Sequence, residues 1–178
     1  MNLSHSMTAA ILATLTAVAV MGCDLDSDDE VPGDDATAVA AARADLDALY
    51  KGDYRNAFEQ KNPDLFLRHL SDDFTSTMVD GTSASAEALR QFFPVLIQSI
   101  ERVIDHNVTI EDVQLKDGQI EAVVTLSTVM DRRSPANVVY TEISVATYLD
   151  RFVRDEDGVL KEVAGDQLRV SVTGAPRP

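Results

Sequence analysis

Residues 62–75 read NPDLFLRHLSDDFT, and this stretch decides the fold. Asn62 is a favourable helix cap, and Pro63 suits the first helical position because the N–H it lacks would be unsatisfied there anyway. The chain therefore restarts at this pair into a short helix over 64–70. DFTSTMVD, residues 73–80, is rich in β-branched side chains and predicts a strand closed by the Asp80-Gly81 turn. Upstream, Val39, Leu46, Leu49, Tyr50, Tyr54, Ala57 and Phe58 recur at helical spacing, which predicts one long amphipathic helix over 36–61. Gly52 weakens that helix by about 1 kcal/mol relative to alanine, which implies packing that needs a small residue. Downstream, Leu89, Phe93, Leu96, Ile97, Ile100 and Ile104 form the buried stripe of a third helix over 85–104, kinked at Pro94. The remainder predicts strands over 108–115, 119–131, 138–154 and 159–172, with turns at Lys116-Asp117-Gly118 and at 155–158. Helices that precede a run of hairpins gather on one face of an antiparallel sheet, the α+β class.

The N-terminus carries a different signal. Residues 8–22, TAAILATLTAVAVMG, hold no charge and match a signal-peptide core, while falling short of the roughly 20 apolar residues a bilayer span takes. The run ends at Gly22-Cys23, and Cys23 is the single cysteine of the chain. This resembles the lipobox of bacterial lipoproteins, in which the cysteine is lipidated on sulfur and becomes the new N-terminus after cleavage. The preceding MNLSHSM lacks the Lys or Arg of a usual positive n-region. The resemblance implies a signal peptide over 1–22 and a membrane anchor at Cys23 in the bacterial cell envelope. Asp24, just after the cysteine, matches the inner-membrane retention signal of enterobacterial lipoproteins and favours the periplasmic face of that membrane.

Residues 24–35 hold seven acids and no base, so like-charge repulsion predicts an unstructured tether over 23–36 and a folded domain over 37–174. Asp24, Asp26 and Asp28 alternate as calcium-loop ligands do, but Asp29 stands where such a loop needs Gly and Asp35 where it needs Glu. Over the 178 residues, 15 Lys and Arg face 30 Asp and Glu, a net charge of −15. Such a balance, with no basic run longer than two, excludes nucleic acid as a partner. A lone cysteine excludes an internal disulfide and a CxxC metal or redox site. His69 and His106 lie far apart, His69 beside Arg68 on a short helix and expected at the surface, His106 after the third helix. No metal set, phosphate loop or cofactor motif is present, and none is expected.

The order of elements, NPDLFLRHLSDDFT, and the hairpin VRDEDGVLKEV at 153–163 together resemble the nuclear-transport-factor-2-like superfamily, which includes SnoaL-like cyclases and ketosteroid isomerase. The resemblance covers residues 40–172. It implies a curved sheet that wraps the first helix into a cone, a pocket at the wide end, and homodimers formed through the sheet. Enzymes and plain ligand binders share this fold, so fold alone does not give function. The isomerase uses a carboxylate base with an oxyanion hole of one Tyr and one protonated carboxyl. Carried over residue by residue, the resemblance puts Tyr54 at the tyrosine and Asp150 at the neutral carboxyl. The base position falls on Met78, which cannot accept a proton, and the nearest acid is Asp80 in the turn.

Alternation along ATYLDRF independently places Ala146, Tyr148, Asp150 and Phe152 on one sheet face. Asp150 between two aromatics is either a buried hydrogen-bond donor or the partner of an arginine on a neighbouring strand, such as Arg132 or Arg169. The Arg132-Arg133 pair could receive an anion. With the catalytic set incomplete, the sequence favours a non-enzymatic binder of a small hydrophobic ligand or a protein partner. A SnoaL-like isomerase, cyclase or dehydratase and an immunity-like interaction protein are the alternatives.

Overall fold

The computed structural model describes residues 32–176. Cys23, the leader and residues 24–31 of the tether lie outside that range. The first helix, α1, runs Pro32–Leu49 and so begins at Pro32 rather than at Ala36. The last residues of the expected tether are thus helical, and Pro32 opens the helix because proline is pre-organised for the first helical position. The helix then changes gauge. Tyr50–Tyr54 form one π-helical turn, in which the Arg55 N–H reaches the Tyr50 carbonyl five residues back, before α2 (Arg55–Glu59) resumes the α geometry. Lys61 takes a left-handed backbone (φ 53°) that ends the rod. The short helix α3 (Asp64–Leu67) follows at the predicted Asn62-Pro63 restart, with Asn62 Oδ1 accepting the Asp64 N–H at 3.1 Å.

Six strands make one curled sheet: β1 (Leu70–Thr77), β2 (Ser83–Ser85), β3 (Ile100–Lys116), β4 (Gln119–Arg133), β5 (Val139–Arg154) and β6 (Leu160–Pro176), in spatial order β2-β1-β6-β5-β4-β3. The sheet is mixed rather than antiparallel throughout, since β1 runs parallel to β6. The helix between β2 and β3, α4 (Ala86–Gln98), is shorter than expected. Ser85 caps it by accepting the Ala88 N–H, and strand β3 begins at Ile100, so Ile100 and Ile104 belong to the sheet. Apolar residues near a helix end are compatible with either period, and pairing with β4 decided the matter.

Leu46, Leu49 and Tyr50 press the first helix onto Val124 and Phe152 of the concave face, while Ile97, Ile100 and Met130 form a second cluster under α4. No helix among the described residues is long and apolar enough to cross a membrane.

Candidate functional site: a cavity with two tyrosine–carboxyl pairs

Between the helical layer and the concave face lies a cavity of about 310 Å³. The rod contributes Tyr50, Tyr54 and Phe58, α4 contributes Leu89, Phe92, Phe93 and Leu96, and the sheet supplies Phe74, Ser76, His106, Leu126, Tyr148, Asp150, Glu162 and Gly165, with Met78 just past the end of β1. The lining is largely aromatic. Its polar groups are few and grouped, the usual composition of a small-molecule site.

Two carboxyls sit at the sheet wall, each engaged by a tyrosine from the rod. Tyr50 donates its hydroxyl to Asp150 Oδ2, and Tyr54 donates to Glu162 Oε2 at 2.6 Å. The tyrosine rings meet edge to face with centroids 5.1 Å apart. The π-helical turn has these two tyrosines as its first and last residues, and such turns recur at functional sites because they shift side chains off the α-helical spacing. Gly52 lies in the same turn. A Cβ there would meet nothing within 4 Å, so the close packing expected of it is not present.

Burial pushes Asp150 up to about 7, and the Tyr50 hydrogen bond only partly offsets this. Glu162 is driven well above the ordinary carboxylate range, by burial first and by Asp150 second. Arg132 and Arg169 play no part: Arg132 donates from Nη1 to both Glu142 oxygens at 2.9 and 3.0 Å, and Arg169 reaches Thr147. Arg133 is taken by Glu101 and Asn137, so the arginine pair offers no free anion site.

The placement of the remaining candidates is mixed. Tyr54 and Asp150 share the cavity, but each is paired with a residue that the sequence did not single out. Tyr148 lines the wall, with its hydroxyl accepting from Gln167 Nε2 at 3.1 Å. Met78 lines the cavity as well. Asp80 does not: it is exposed in the turn, where its Oδ1 accepts from the Thr82 N–H and hydroxyl, and those bonds hold its carboxyl below the usual range. It cannot serve as a base in this cavity.

His69 is buried rather than at the surface. Its Nε2 lies 2.7 Å from Asp53 and its Nδ1 3.0 Å from the Leu160 carbonyl. Its own carbonyl accepts the Glu162 N–H at 2.7 Å, which fixes the strand position from which Glu162 enters the cavity. His106 lies within β3, buried against Phe58. Desolvation holds its pKa down, so the ring is neutral at pH 7, and its Nδ1 has no hydrogen-bond partner among the described residues. Among those residues no group of three or more His, Cys, Asp or Glu is placed to hold a metal ion.

Glu162 escaped the sequence reading because of a bulge. Asp150 pairs with Gly165 and Phe152 with Glu162, so two residues of β5 are matched by three steps of β6 and the extra residue re-phases the strand. Strict alternation puts 162 and 165 on opposite faces; the bulge puts both on the concave one.

No family model and no curated protein matches the chain. Solved structures do. The hexachlorocyclohexane dehydrochlorinase LinA-type3 from Novosphingobium barchaimii is 18% identical with a TM-score of 0.53, over 78% of this chain and 91% of that one. A scytalone-dehydratase-like protein from Novosphingobium aromaticivorans is 12% identical, TM-score 0.59, over 76% and 89%. Rv3472(D26N) from Mycobacterium tuberculosis, of unknown function, is 14% identical, TM-score 0.58, over 80% and 78%. The chain has the nuclear-transport-factor-2-like fold. At these identities the likeness carries the architecture and no residue roles. On a fold of this kind, what the domain does is set by the cavity's own chemistry.

Proposed function

We propose that the domain binds one small, largely apolar molecule in the 310 Å³ cavity and orients it by the two tyrosine–carboxyl pairs. The observation that carries this reading is an aromatic-lined cavity whose two buried carboxyls are each hydrogen-bonded to a tyrosine through one oxygen rather than standing wholly free as bases. We place this binding domain on a membrane, anchored through a lipidated Cys23 in the bacterial cell envelope, inner-membrane periplasmic face, as residues 8–24 suggest.

Native mass spectrometry of the full-length chain, purified gently from its own membrane, tests the binding role. The expected spectrum shows one retained small molecule per chain, absent from Leu89→Trp, in which the larger side chain fills the cavity. A chain recovered empty, and unable to take up an apolar probe added back, overturns the reading.

One observation favours an enzyme as a second reading. His106 is a neutral imidazole on the wall of the same cavity as two proton-rich carboxyls, a set able to remove one proton and donate another. Turnover of the retained molecule that disappears in His106→Ala would establish it.

A further inference from the structure

Each cavity carboxyl uses only one of its oxygens. Asp150 Oδ2 and Glu162 Oε2 accept the tyrosine hydroxyls; Asp150 Oδ1 and Glu162 Oε1 have no donor among the described residues, although both side chains are about 95% buried. These two free oxygens converge. Each lies 3.0 Å from the position a Cβ on Gly165 would occupy, with the Phe74 ring edge 3.7 Å from the same point. Gly165 stands directly opposite Asp150 across the β5/β6 ladder, and its missing side chain leaves a niche between the two carboxyls. An alanine there would press on both oxygens at once.

We propose that the cavity's ligand is an apolar primary amine whose ammonium group seats over Gly165 and donates to Asp150 Oδ1 and Glu162 Oε1, while its hydrocarbon part lies among the aromatic residues. This rests on the ligand-binding reading above and names the class of ligand. Three features of the site select the charge. No Lys or Arg lines the cavity, so nothing in it would neutralise two ionised carboxyls. Arg151, the nearest cation on β5, points to the other face and is held by Glu121 at 3.0 Å and Asp166 at 2.9 Å. Around Gly165 the unused hydrogen-bonding positions are the two carboxyl oxygens, acceptors once ionised, and an ammonium carries three N–H donors at about 3 Å reach where a hydroxyl carries one. Aromatic rings beside a cation add electrostatic attraction. The raised carboxyls agree with this arrangement, since desolvated acids with no cation inside their cavity hold their protons more tightly until one arrives.

The test is a calorimetric titration of the full-length chain in detergent at pH 7.5 with three probes of one size: 2-phenylethylamine, 2-phenylethanol and phenylacetate. The amine is expected to bind at least tenfold more tightly than the alcohol, and phenylacetate not to bind. Glu162→Gln and Gly165→Ala are each expected to bring the amine-to-alcohol ratio to within about threefold, the first by removing charge and the second by filling the niche without touching charge. Circular dichroism reports whether each variant folds, and the second variant decides if the first does not. Alcohol binding as tight as the amine, or an amine preference that survives both substitutions, overturns the amine assignment while leaving the cavity a binding site. Failure of all three probes overturns the binding reading and the amine assignment with it.

Discussion

Asp150 and Glu162 are acids kept in a place that disfavours their ionised form, and the consequence is a pH dependence of stability with a definite sign. In the unfolded chain an aspartate titrates near 3.9, whereas in the folded domain burial raises Asp150 to about 7. Between those values the folded state holds more protons than the unfolded one. Stability contributed by Asp150 is therefore full below pH 4, declines as pH rises, and is lost above pH 7. Glu162 acts in the same direction, and Asp150 is itself one cause of its rise. His106 opposes them, because its lowered pKa favours the folded state as pH rises through the ordinary histidine range. Comparing the chain with Asp150→Asn cancels the histidine. Urea midpoints measured at pH 4.5 and pH 8 are expected to show the variant gaining on the parent as pH rises, by a few kcal/mol across the window. A gap that is constant with pH would mean that Asp150 titrates as an exposed carboxylate does. The sequence showed this residue because alternation along β5 is regular up to it. It did not show that Tyr50 is its partner, since that contact joins residues 100 positions apart.

The elements that build the site are the irregular ones. An unbroken α-helix through 50–54 would space Tyr50 and Tyr54 one turn apart on an ideal stripe, and the sequence pattern is that of such a helix. The π turn widens the step, and nothing in hydrophobic spacing reports it. Gly52 was the one visible sign. It was legible as a weak point in the helix, but its explanation by close packing fails because its side-chain space is empty. This gives a prediction at the scale of the helix. Gly52→Ala removes the entropic cost of glycine and introduces no clash, so it is expected to stabilise the domain by about 0.5–1 kcal/mol in urea denaturation. A loss of stability instead would mean that the π turn needs the backbone freedom of glycine to hold the two tyrosines over their carboxyls. The bulges of β6 belong to the same class of feature. They set which side chains reach the cavity, and they arise from pairing between distant strands rather than from any local preference.

At the scale of the whole molecule, the order of helices and hairpins was legible because amphipathic period and turn chemistry are local properties: the restart at Asn62-Pro63, the start of the third helix at 85–86 and the glycine turns at Gly81, Gly118 and Gly158 all stand where the sequence puts them. The parallel pairing of β1 with β6 was not, because it joins the first strand to the last across the length of the domain. The proposed anchor is separable from all of this, since residues 32–176 carry the fold and the cavity while Cys23 precedes them. Anchoring and ligand binding should therefore come apart in one experiment. Apolar ligands partition into lipid, and a binder held at the bilayer samples the phase in which they are concentrated; stable holding takes more than one acyl chain, as a diacylated cysteine provides. In a bacterial host, the parent chain is expected to fractionate with membranes and to show the mass of an acylated N-terminal cysteine. Cys23→Ser is expected to lose that mass and move to the soluble fraction, with the same melting temperature and the same affinity for 2-phenylethylamine. Membrane association that persists in the variant would show that the leader or the domain holds the bilayer without the thioether, and the lipid anchor would have to be given up while the cavity kept its ligand.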